Sequence, residues 1–121
     1  MTELDVADLT PEWLDGQLAR GLTALLVESS GHAGAVRAAA SAIGSRVPDD
    51  LSVVVLDQGT EQHAVDTSWS TVTIPRSDMG RAAVRVLLRR IAEPTARPEP
   101  VVLPCRPAGP ESVAAPRVRP T

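Results

Sequence analysis

Two short apolar runs, Leu22–Glu28 (LTALLVE) and Leu51–Asp57 (LSVVVLD), constrain the fold more than any other feature of this sequence. Neither alternates apolar with polar residues, the pattern of a strand with one wet face. Near-continuous runs are what strands covered on both faces require, as in parallel sheets. Between them Ser29-Ser30 offer hydroxyls that can cap a helix, residues 31–43 are rich in Ala, and Gly44 offers a stop before Val47-Pro48. Strand, helix and strand at this spacing make a βαβ unit with a right-handed crossover. The small Ala side chains let the helix lie close on the sheet, with Val36 and Ile43 as its larger anchors.

Further elements extend this unit on both sides. Thr10-Pro11-Glu12 combines a capping hydroxyl, a proline at the first helical position and an acid at the positive helix end, and Gly21 stops the helix this predicts over residues 11–20. A polar loop over 58–70 leads to a short extended piece, Thr71–Ile74, ended by Pro75. A helix is expected over 77–92, starting at Ser77 or Asp78. At 100° per residue Met79, Ala83, Val84, Val86, Leu87, Leu88 and Ile91 share one broad side, and Arg81, Arg85 and Arg89 the other. The basic stripe reads as a solvated face before it reads as a contact for an anion or nucleic acid. Eight of the eleven prolines follow Glu93; an edge strand is expected at Val101–Leu103, and an extended or disordered tail over 104–121.

At 121 residues the chain is one domain's worth of material. Its net charge of −3 excludes a surface built as a whole to hold phosphate backbones. The charge is uneven: residues 1–21 carry five acids against Arg20, an acidic flank ahead of the first helix, whereas residues 94–121 carry four Arg against two Glu. Trp13 and Trp69 are the only aromatic residues, too few to stack successive bases. Cys105 is the single cysteine, so neither an internal disulfide nor a cysteine metal cage can form, and a reducing cytoplasm suits the chain. No run approaches the ~18 apolar residues of a membrane span.

Ligands of open α/β sheets bind outside the carboxyl ends of the strands. Those ends carry Glu28-Ser29-Ser30 and Asp57-Gln58. On neighbouring strands ~4.8 Å apart, two acids and two hydroxyls converge into a group suited to polyol hydroxyls or an amine. The plainer alternative is structural: Ser29 or Ser30 caps the helix and Asp57 bonds loop amides. Ser30, His32 and Asp57 are the residue types of a hydrolase triad, but G-x-S-x-G is absent and His32 follows the serine by two residues, so catalysis is not expected. Gly31-His32-Ala33-Gly34 lacks the three-glycine spacing of a dinucleotide loop. Glu28, His32, Asp57 and His63 include only two scattered histidines, which argues against a metal site. No cofactor is expected.

In order along the chain stand Thr23-Ala24, then Val47-Pro48-Asp49-Asp50-Leu51-Ser52-Val53-Val54 with Asp57, then Ser70-Thr71-Val72, Met79-Gly80-Arg81-Ala82-Ala83, and Leu103-Pro104 with Glu111-Ser112. This collinear set, over about residues 10–116, resembles the carboxyl-terminal part of the sensor domain of LacI/GalR-type transcriptional regulators. The resemblance implies an α/β fold, part of a periplasmic-binding-protein-like lobe of type I: parallel strands with flanking helices in an incomplete sheet. Residues 10–103 would form its sensor portion. It implies a small effector, often a sugar or nucleoside, held in a cleft, no direct DNA contact by this segment, and homo- or hetero-oligomerisation with another sensor chain.

In that family the first edge usually reads Asn-Asp and the second Asp-Asp. Asp57 keeps the pattern, whereas Ser29, Ser30 and Gln58 depart from it. Arg76 falls where some relatives place an aromatic that reaches the ligand, and could meet an anionic group. The helix-turn-helix, the first lobe and the opening strands of the second have no counterpart here, so a truncated sensor is expected. The helix over 77–92 would then lack the surface it packs on in the family. Burying Val84, Leu87, Leu88 and Ile91 is worth roughly 6–12 kcal/mol together, which leaves three outcomes. The stripe folds back onto the sheet, docks on another chain, or the product is a marginal, inactive remnant.

Overall fold

The computed structural model describes residues 4–57, 69–109 and 112–117. After a short 3-10 turn at Val6–Asp8, helix α1 (Pro11–Ala19) begins as the sequence dictates, with the Trp13 amide donating to Thr10 Oγ1 at 3.1 Å. Strand β1 (Ala24–Ser29), helix α2 (Ser30–Ala42) and strand β2 (Ser52–Asp57) form the expected βαβ unit. Strand β3 (Ser70–Thr73), helix α3 (Arg76–Ala92) and strand β4 (Arg106–Ala108) follow. The four-stranded sheet has the order β1-β2-β3-β4, with β1, β2 and β3 parallel and β4 antiparallel to β3. This is the expected α/β architecture.

Helix α1 packs on α2, and α2 rests on β1 and β2. Leu14, Val36, Leu51, Val53, Val55 and Trp69 are fully buried between these layers, with Ile43 packed at the margin. The alanines at 33, 39 and 40 are buried as well, which is how α2 approaches the strands closely.

Three expectations need correction. The uninterrupted runs predict strands covered on both faces, yet Leu26 is 70% exposed and Leu56 44% exposed, because α2, the helix that rests on β1 and β2, covers one face only. Helix α3 starts at Arg76, not Ser77 or Asp78, and has Pro75 as its N-cap without a side-chain cap; Asp78 instead pairs with Arg81 at 2.7 Å. The edge strand lies at Arg106–Ala108, and Val101–Leu103 carry no strand. Apolar content misdirects here: what makes the strand is the free edge of β3, against which Arg106, Pro107 and Ala108 align with Thr73, Val72 and Thr71.

Within the Pro-rich segment, residues 112–117 are bound to the sheet. The Val53 amide donates to the Ser112 carbonyl (2.9 Å), the Ser70 amide to Ser112 Oγ (2.8 Å) and the Ser112 amide to Ser70 Oγ (2.9 Å). Ser112 Oγ in turn donates to the Val53 carbonyl. Thus Ser112 serves the start of β2 where β3 has not yet begun. Ser52 exchanges two bonds with Ala114, and Arg117 meets Asp50 at 2.7 Å. Gly109, the residue after β4, has a φ of +88° that suits glycine, and its missing Cβ leaves room for the Trp69 carbonyl.

Candidate functional site at the carboxyl edge of the parallel strands

Because β1, β2 and β3 are parallel, their carboxyl ends share one edge. The register sets Ser29 of β1 opposite Asp57 of β2. The expected convergence of the two strand ends is therefore present. Gln58, and His63 with it, lies outside the described residues.

Ser29 has two structural duties. It is the N-cap of α2, accepting from the His32 amide at 3.4 Å, and its Oγ lies 2.8 Å from His32 Nδ1. The backbone N–H can only donate, so Ser29 Oγ accepts there, and its hydroxyl proton can serve Nδ1 in the tautomer that carries the ring proton on Nε2. His32, to which the sequence pattern assigns neither catalysis nor a metal, lies on this edge as the partner of Ser29. The capping alternative thus holds for Ser29. Ser30 is the first residue of α2 and exposed, free of that duty.

Glu28 separates from its neighbours. Strand alternation puts it on the open face with Leu26, whereas Ser29 is half-buried on the helix-covered side. Arg76 opens α3 three residues after β3 ends, so it leaves from the same edge, exposed. Near it Thr73, Pro75, Asp78, Leu103, Pro104 and Arg106 line a cavity of about 480 Å³. Arg106 escaped the sequence reading, since a lone arginine between Cys105 and Pro107 gives no signal until β4 pairs with β3.

Helix α3 presents the other candidate surface. None of its residues is buried, and Met79, Val84, Leu87, Leu88 and Ile91 are 49–67% exposed. Met79, Ala83, Val86 and Leu87 line one wall of an apolar groove of about 890 Å³, whose other wall is Pro100–Leu103. The stripe does not fold back onto the sheet. No helix among the described residues is long and apolar enough to cross a membrane.

Residues 3–113 match the periplasmic binding protein-like domain family. No curated protein matches the chain. Solved structures with the same fold include a LacI family transcriptional regulator from Enterococcus faecium with bound ribose, at 19% identity and a TM-score of 0.64 over 93% of this chain and 42% of that one. At that identity the likeness speaks to the fold alone. A LacI family regulator from Bifidobacterium animalis subsp. lactis matches at 26% identity and 0.65, over 91% and 42%. The transcriptional regulator CelR in complex with cellobiose matches at 32% identity and 0.66, over 88% and 32%. The chain spans less than half the length of each of these structures.

Proposed function

The chain belongs to the periplasmic binding protein-like domain family, in the form that LacI-family regulators carry, and from that membership we propose that it is a non-enzymatic, cytoplasmic effector-sensing module. In this reading a small molecule binds at the carboxyl edge of β1 and β2, with Asp57 as its chief polar contact. Ser30 and Arg76 leave from the same edge, Gln58 is the next residue in sequence, and Ser29 shapes the rim through its bond to His32. The observation that carries the reading is the parallel register that sets Ser29 against Asp57. Two of the similar structures hold sugars, ribose and cellobiose, which makes those compounds the first probes. The reading includes no direct DNA contact by this chain, whose net charge of −3 gives it no general phosphate-binding surface.

The experiment is a thermal-shift screen of ribose, cellobiose, nucleosides and small anions. A ligand present at 100 times its Kd adds about 2.7 kcal/mol to the folded state, a shift easily seen at this chain size. We expect at least one compound to raise the midpoint of the parent and to leave that of Asp57→Ala unchanged. A screen without any shift, or equal shifts in both proteins, would reject the site.

A second reading is favoured by one observation, the wholly unburied helix α3. Its apolar stripe suits protein association, through Val84, Leu87, Leu88 and Ile91, with another sensor chain.

A further inference from the structure

A serine hydroxyl has one proton to give and two lone pairs to receive with, and the first turn of α2 draws on both. Ser29 Oγ accepts from the His32 amide at 3.4 Å and lies 2.8 Å from His32 Nδ1. Among the described residues the Ser29 hydroxyl has no other acceptor, so the arrangement that strands no proton places it on Nδ1, with the ring proton on Nε2. One Oγ lone pair is then left for the rim. Charging the ring reverses this. A histidinium donates from both nitrogens, so both Ser29 lone pairs are taken and the hydroxyl proton turns outward. We propose that His32 is a positioning residue that sets the hydrogen-bond polarity of Ser29, so that the rim selects an amine-bearing ligand while the ring is neutral and loses that preference when it is charged. The inference deepens the effector site proposed above and rests on it.

The register gives the pair its place, with Ser29 opposite Asp57, a residue type that when ionised only accepts. Ser29 and His32 are both half-buried, held by the fold yet open to a ligand. With the ring neutral the two strand ends offer acceptors, which suit an ammonium because it only donates; a hydroxyl turns to meet either partner. Histidine changes charge between about pH 5 and 8. Of the elements packed on α2, β2 brings Asp57, β1 brings Glu28 on the opposite face of the sheet, and α1 and the 3-10 turn bring Glu12, Asp15, Asp5 and Asp8; Arg37 follows on α2 itself. None of these makes an ion pair with His32 among the described residues, so the bond to Ser29 is the contact on which the charge of the ring acts.

Two measurements on the whole chain test the role of His32. Proton–nitrogen correlation spectra of the imidazole rings, assigned with His63→Gln, should show His32 Nδ1 without a proton at pH 8 and with one at pH 5. A proton on Nδ1 at both pH values overturns the inference with no ligand present. Calorimetric titration with glucamine, whose amine stays charged over this range, should give a Kd about tenfold lower at pH 8 than at pH 5, the ratio one hydrogen bond supplies. His32→Asn keeps an amide where Nδ1 lies and does not titrate, so it should abolish the difference, with circular dichroism verifying its fold. Sorbitol, which lacks the amine, should bind the parent alike at both pH values. No pH dependence in the parent, the same dependence in His32→Asn, or no glucamine binding by a chain that responds to other compounds overturns the inference and leaves the effector site standing. A chain that binds neither glucamine nor any compound of the thermal-shift screen rejects the effector site itself.

Discussion

Replacing Trp69 by Ala is expected to lower the free energy of unfolding by about 3–5 kcal/mol, the range for emptying a large aromatic site in a close-packed core. The residue is 0% exposed and sits among Leu51, Val53, Val55 and the helix residues Leu14 and Val36. The Arg37 guanidinium stands 3.9 Å from its ring centroid, so truncation also removes a cation–π contact. Against the ~5–15 kcal/mol that holds a domain folded, this is a large fraction. Urea denaturation would show it as a strongly lowered midpoint with an unchanged slope. A loss below 1 kcal/mol would mean that the tryptophan does not organise the core.

The second large effect is expected at Ser112, a residue within the Pro-rich tail. Ser112→Ala removes the hydroxyl that donates to the Val53 carbonyl and accepts from the Ser70 amide. The Val53 carbonyl would lose its donor in a buried place, at a cost of roughly 1–3 kcal/mol. Ser30→Ala is the control, since Ser30 is exposed and does not cap α2; its effect should stay within about 0.5 kcal/mol. Equal denaturation midpoints for the two variants would contradict the assigned role of Ser112. The bonds of Ser112 lie where β2 and β3 begin, at the end of the sheet opposite Asp57, so ligand-induced stabilisation should persist in Ser112→Ala.

The elements legible in the sequence were those whose signal is local. Thr10-Pro11 fixes the start of α1 by capping chemistry, and the apolar runs with an Ala-rich segment between them fix a parallel β1-α2-β2 unit. What escaped depends on partners distant in the chain. Arg106-Pro107-Ala108 has no strand pattern of its own and is extended because β3 offers an unpaired edge, whereas the apolar Val101–Leu103 line the groove beside α3. The anchoring bonds of Ser112 are hidden for the same reason, its partners lying 42 and 59 residues away. The exposed Leu26 face marks where a run that reads as doubly covered is covered, among the described residues, by α2 on one side only.

At the candidate site the sequence put Ser29, Ser30 and Asp57 at the strand ends without apportioning their duties. Ser29 was drawn toward His32 by the geometry of the first turn of α2, a contact three residues apart that any helix N-terminus can form. Glu28 was separated from Ser29 by strand alternation, which the continuous apolar run had masked.

The central claim is that an effector sits where β1 and β2 end. Backbone amide NMR of the labelled chain, titrated with a compound that raises its thermal midpoint, tests it most directly. The account predicts saturable shifts concentrated at Ser30, Gly31, His32 and Asp57, abolished in Asp57→Ala. Shifts confined to α3 and the Pro100–Leu103 wall, with the amides at the strand ends unmoved, would contradict it.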